Sequence, residues 1–189
     1  MANYIGYVEV PHGSYDEWRS ATINNMYDLD GYYSGQCWDY CALCYAQYGL
    51  TLYTGPGGGY AKDCWLVSRD ANSQNPFISV DGVQNIKRGD IIVFNWGLAG
   101  HICFADEDYN GTLNLNCLGQ NQRGGGNGYP ATVDNLTLVG FLGIFRNTNW
   151  QGSPSPTPES GYNKDRYNFV LFNRRKRQEK WTKKPLRKR

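Results

Sequence analysis

The spacing of apolar positions changes along the chain, and the changes mark its elements. A leader holds a strand-like piece at residues 4–10, closed by Pro11. Ser14, with Glu17 three places on, has the form of a capping box, and Trp18, Ala21 and Met26 fall roughly on one face. This predicts a helix from Ser14 to about Met26. A second helical run goes from Gln36 to about Tyr48, with Gly49 placed as its stop. A short helix is expected over 60–71 with Trp65 and Leu66 inward, and a small strand over 78–80. From Gly89 the pattern reads as strands. Residues 90–96 are nearly all apolar, the turn Gly97-Leu98-Ala99-Gly100 follows, and a second run begins at His101. Leu113, Leu115 and Cys117 then alternate with Asn114 and Asn116, the period of a half-buried strand. Residues 119–130 read as a glycine-rich loop, and 136–146 as one last strand carrying Phe141, Ile144 and Phe145. Helices followed by strands predict an α+β domain with an antiparallel sheet.

Two residues in this layout carry candidate chemistry. Cys37 falls in the first turn of the second helix, where unpaired backbone N–H groups favour an anion and so a thiolate. An inert buried thiol is the alternative. A cysteine nucleophile needs a base, and the chain has two histidines. His12 lies in the leader. His101 opens a strand after a tight glycine turn, well placed to face a helix terminus. Before Cys37, the segment Asp28-Leu29-Asp30-Gly31-Tyr32-Tyr33-Ser34 sets oxygen donors at alternate positions, with Asp39 five places later. Asp28, Asp30, the Tyr32 carbonyl, Ser34 and Asp39 resemble the start of a calcium loop, Asp39 standing in for a terminal glutamate. A solvated Asx turn capping the helix is the other reading.

Gln36-Cys37-Trp38-Asp39, Gly89-Asp90 before a strand, Gly100-His101 and Gly119-Gln120-Asn121-Gln122 occur in that order. Together they resemble the CHAP family, the cysteine, histidine-dependent amidohydrolases/peptidases of bacteriophage lysins, over roughly residues 14–146. The related NlpC/P60 hydrolases usually have Asp-Cys-Ser-Gly around the nucleophile, which this chain lacks. The resemblance implies a papain-like α+β fold with N-terminal helices packed on an antiparallel sheet. It implies a peptidoglycan hydrolase cutting an amide bond, either as an endopeptidase or as an N-acetylmuramoyl-L-alanine amidase. Cys37 would be the nucleophile and His101 the base, with the Cys37 N–H and the Gln36 amide as oxyanion donors. Many members carry an acid two places before the Asn of the last motif. Here that place is Gly119, so Asn121 becomes the candidate for orienting His101. Some phage members bind calcium just before the nucleophile, which supports structural Ca2+ in the acidic loop. A structural virion protein on the same scaffold, with weak or lost activity, is the alternative.

Charge and composition change this picture at the end of the chain. The net charge is +2, yet residues 174–189 hold ten Lys/Arg against Glu179 alone. Without them, nine basic residues face sixteen acidic ones, a net charge of −7. The expected organisation is a catalytic domain over 1–150, a Pro/Ser-rich linker over 151–160 and a basic tail over 161–189. The tail suits a polyanion, packaged DNA or wall teichoic acid, or a dock on other virion proteins. No segment reads as a membrane span or as a signal peptide. The expectation is an enzyme made in the host cytoplasm that acts at the wall, released through membrane holes or carried in the virion tail. With no export signal read, the six cysteines are expected to be mostly reduced; Cys64, Cys103 and Cys117 stand singly and make no second zinc-type cluster.

Overall fold

A computed structural model describes residues 13–56, 59–124 and 128–150. The strand expected at 4–10, the 151–160 linker and the 161–189 tail lie outside these residues. Helix α1 is Tyr15–Thr22, capped by Ser14, whose side chain accepts the Glu17 N–H at 3.3 Å. It ends four residues earlier than expected, because Ile23 turns to extended backbone (ψ 144°). Met26 is buried all the same, from the segment beyond the helix. Helix α2 is Cys37–Gln47, with every residue from Asp39 to Ala46 buried. A helix apolar on all sides belongs in the middle of a domain. Gly49, at φ +70°, ends it in the left-handed conformation glycine adopts without strain.

The single helix expected over 60–71 is two short ones, α3 (Asp63–Leu66) and α4 (Arg69–Asn72), broken at Ser68 (φ −120°, ψ 20°). Trp65 packs inward on Phe145, ring centroids 5.2 Å apart. Leu66, one residue round a one-turn helix, points outward and is 54% exposed, contrary to expectation.

Six strands form one antiparallel sheet: β1 (Phe77–Val80), β2 (Ile91–Phe94), β3 (His101–Ala105), β4 (Asn114–Gly119), β5 (Thr132–Thr137) and β6 (Phe141–Asn147), in the order β1-β6-β2-β3-β4-β5. Alternation along the strands gives the sheet two apolar faces. Ile91, Val93, Ile102, Phe104 and Phe145 pack with α1 and α2 against Trp18, Tyr40 and Tyr45. Ile92, Phe94, Cys103, Cys117 and Ile144 form a second cluster with Ile86 and Leu138. The expected strand over 136–146 is in fact β5, a turn at Gly140 (φ +84°) and β6. Strand β5, Thr-Val-Asp-Asn-Leu-Thr, is an edge strand with no buried residue, so its polarity hid it in the sequence. Leu113 lies before β4 and is 71% exposed.

Two acids lock the frame. Asp90 is fully buried and accepts from Arg146 at both oxygens (2.8 Å each) and from the Lys87 N–H at 2.7 Å. This ties β2 to β6, a bidentate pair of the strong kind. Asp106, at the end of β3, accepts from the Tyr15 hydroxyl (2.9 Å) and from Arg19 (2.7 and 3.1 Å), pinning α1 to β3. Asp108 keeps an exposed side chain, paired with Lys87 at 3.1 Å. The six cysteines are unpaired. Among the described residues no helix is long and apolar enough to cross a membrane.

Candidate active site

The loop before α2 is held by its own acids. Asp28 accepts the Gly31 N–H at 2.7 Å and Asp30 the Tyr32 N–H at 2.9 Å. Gly31, Tyr33 and Ser34 all take positive φ (77°, 60° and 62°), which bends the loop back toward the helix. Asp39 closes it: one oxygen accepts the Leu29 N–H and the other the Gln36 N–H, both at 2.9 Å. One carboxylate therefore fixes both ends of the loop that leads into Cys37.

Gln120 clamps the loop from the sheet side. Fully buried, it accepts the Tyr27 N–H (2.8 Å) and donates to the carbonyls of Tyr27 (2.8 Å) and Gln36 (2.9 Å). The fit leaves no room at Gly35, where a Cβ would stand 2.4 Å from Met26 Cγ and 2.6 Å from Gln120 Nε2. The Gln36 side chain is fixed at both ends as well. Its Nε2 donates to the Tyr33 carbonyl, and its Oε1 accepts from Asn121 Nδ2 at 2.7 Å. Asn121 itself has φ +54° and donates its backbone N–H to Tyr129 at 3.1 Å.

Cys37 is the first residue of α2 and is half-buried. Helix α2 packs across β3, and the Cys37 sulfur meets the backbone N–H of Ile102, the residue after His101. Burial pushes the thiol up to about 11; the backbone N–H groups of Ile102 and Trp38 act against that rise. His101 opens β3 opposite Phe94 and is 6% exposed. Its ring lies parallel to Trp96, centroids 5.5 Å apart. Burial pulls the imidazole down to about 4, and the Gln122 side chain opposes the fall. The resting pair is thus a neutral thiol and a neutral imidazole. Trp96, Gln120 and Gln122 were not singled out by sequence reading. Gln120 and Gln122 stand in the last of the four motifs but were given no role there, and Trp96 ends the apolar run before the Gly97 turn.

Among the loop acids, ligand oxygens of Asp28, Asp30 and Asp39 lie within 4.8 Å of one another. Burial, then the charges of Asp30 and Asp28, raise the Asp39 carboxyl to about 7, while its two backbone donors hold it down. Three hard oxygen donors so close, one of them raised by the others, fit a hard divalent cation. Tyr32 and Ser34 follow in the same loop.

A CHAP domain family model matches residues 27–121, from the start of the acidic loop to Asn121. The chain is 31% identical over 158 residues to the D-alanyl-L-alanine endopeptidase of Streptococcus phage B30, a match covering 82% of this chain and 34% of that protein. It therefore spans about a third of that relative's length. Its fold resembles the crystal structure of the wild-type endolysin LysIME-EF1, with a TM-score of 0.54 and 21% identity, over 71% of this chain and 62% of the other. The α+β, papain-like arrangement expected from the motifs agrees with this likeness. With half of its length matched by the family model and the matched stretch running from Tyr27 through Cys37 and His101 to Asn121, the chain belongs to the CHAP domain family.

Proposed function

We propose that the chain is a peptidoglycan hydrolase of the phage type, cutting an amide bond by a thiol mechanism. The observation that carries this reading is the seat of Cys37: first residue of the central helix, sulfur against the backbone one residue from His101. The phage relative is named an endopeptidase, which supports a peptide amide of the wall as the bond; the sugar–peptide amide is the second option.

His101 takes the Cys37 proton as the sulfur attacks the carbonyl carbon, and a C–S bond forms. The oxyanion is met by the Cys37 backbone N–H and by the second N–H of the Gln36 amide, whose first N–H is engaged by the Tyr33 carbonyl. Asn121 keeps that amide aimed by its bond to Gln36 Oε1. Collapse breaks the C–N bond, and the imidazolium gives its proton to the leaving amine. Water, deprotonated by His101, then cleaves the thioester and returns the thiol. The neutral pair suits this course, because the proton moves only as the sulfur bonds to carbon.

Asp28, Asp30 and Asp39, with the Tyr32 carbonyl and Ser34, are the residues that would hold calcium, which would neutralise the crowded carboxylates and stiffen the loop beside Cys37. The cationic stretch 174–189 supports binding to a polyanion such as teichoic acid. Turbidity clearing of purified cell walls tests the reading. Wild type clears them, whereas Cys37→Ala and His101→Ala each fall by about a hundredfold or more. Full clearing by either variant contradicts it.

A further inference from the structure

Gly119 carries no side chain, and a neighbouring residue occupies the room one would take. A Cβ built on Gly119 stands 2.7 Å from Cys103 Cβ and 2.9 Å from Gln122 Oε1. The β3–β4 register, with Phe104 opposite Leu118 and Ala105 opposite Cys117, carries on to set Gly119 across from Cys103. Cys103 and His101 lie on one face of β3, being two residues apart. The Gln122 carboxamide therefore lies on the face of the sheet that carries the imidazole.

Its orientation is fixed from behind. Gln122 Nε2 donates to the carbonyls of Thr132 (2.7 Å) and Cys117 (3.0 Å) and faces Asp134 Oδ2 at 3.2 Å. Rotating the amide by half a turn would set its oxygen against two carbonyls and a carboxylate, so Oε1 must point the other way. Among the described residues that buried oxygen has no hydrogen-bond partner, and neither has the buried Nε2 of His101. A buried acceptor and a buried ring nitrogen, both left over, complete each other when the nitrogen carries a proton. The upward pull of Gln122 on the His101 pKa has the same sign.

We propose that Gln122 is the positioning residue of His101: its Oε1 accepts the imidazole Nε2–H, which leaves Nδ1 as the basic nitrogen. This rests on the reading of His101 as the general base. Asp134 supports the arrangement by polarising the amide from its nitrogen side. Asp134 also pairs with Arg123 at 3.1 Å and accepts from the Thr132 hydroxyl at 2.7 Å, so the carboxylate is itself held.

The test is nitrogen NMR of the imidazoles in the whole protein, where His12 is the only other histidine. Wild type is expected to show His101 as the Nε2–H tautomer. Gln122→Met removes the acceptor, so the tautomer preference is lost and kcat on purified peptidoglycan drops about tenfold or more with KM little changed. A wild-type His101 protonated on Nδ1 overturns the proposal and needs no variant to fold. A tautomer and a titration unchanged between wild type and Gln122→Met overturn it as well. These readings use no substrate, so a failure of the thiol mechanism shows in the Cys37→Ala activity and leaves this assignment standing or falling by itself.

Discussion

The imidazole of His101 lies face to face with the indole of Trp96, ring planes 3° apart and centroids 5.5 Å apart. Phe94 flanks the same ring at 6.3 Å. The indole N–H donates to the Val139 carbonyl in the turn between β5 and β6, so the wall of the histidine pocket is anchored to the far hairpin. Gly140 sits beneath it, its Cβ position 3.0 Å from the indole.

Replacing Trp96 by Ala opens that wall. The half-buried indole is worth about 2 kcal/mol, roughly half of a fully buried one. Water then reaches His101, and its pKa moves from about 4 back toward 6.5. Histidine NMR titration measures the shift. A His101 titration unchanged in Trp96→Ala would mean that the indole does not set its environment.

The same burial makes stability depend on pH. In the folded protein His101 has a pKa of about 4 against 6.5 for the free side chain, so the unfolded chain binds its proton first as pH falls. The stability is present above 6.5 and is lost as pH drops from there through 4, by up to about 3 kcal/mol. Denaturant unfolding of wild type and His101→Gln at pH 7 and pH 4 isolates this contribution, since other groups titrate alike in both. The variant is expected to lose less by about that amount. Equal losses would contradict a buried neutral imidazole.

Gly35→Ala tests the clamp on the loop. Its methyl would drive into Met26, the Gln120 amide and the Tyr27 carbonyl, and Gln120 cannot yield without releasing the Gln36 carbonyl. A loss of about 1–3 kcal/mol is expected, with a fall in activity larger than the lost stability explains. Full activity in a folded Gly35→Ala protein would separate the loop geometry from catalysis.

Calcium added to chelator-treated protein is expected to raise the melting temperature of wild type by several degrees, as mass action on the folded state requires. Asp28→Asn and Asp30→Asn should each blunt the rise. An equal rise in the combined Asp28→Asn, Asp30→Asn variant would place the ion elsewhere, and no rise in wild type would leave the three carboxylates as a turn that caps the helix.

What the sequence disclosed, and what it hid, follows the range of the interactions involved. Local rules located the Ser14 cap, the start of α2 at Cys37, the stop at Gly49 and the strand opening at His101, because each is written within a few residues. The motif order brought Cys37, His101, Gln36 and Asn121 to notice before any contact was known. Contacts made across the fold were not legible. Nothing near Asp106 in the chain announces its partners, because Tyr15 and Arg19 come to it from far back in the sequence. The β5 strand has too few apolar residues to declare itself and exists because β4 pairs with it from Asn114 to Gly119. Gln122 stood in a motif without a role of its own, because that role depends on a glycine three residues earlier and on acceptors supplied by β4 and β5.

Mass spectrometry of the fragments released from purified peptidoglycan, by wild type and by Cys37→Ala side by side, tests the thiol mechanism most directly. Wild type is expected to free one new amino terminus per cut at a single kind of amide, and the variant none. The same fragments from Cys37→Ala, or glycan ends with every amide intact, would contradict the account.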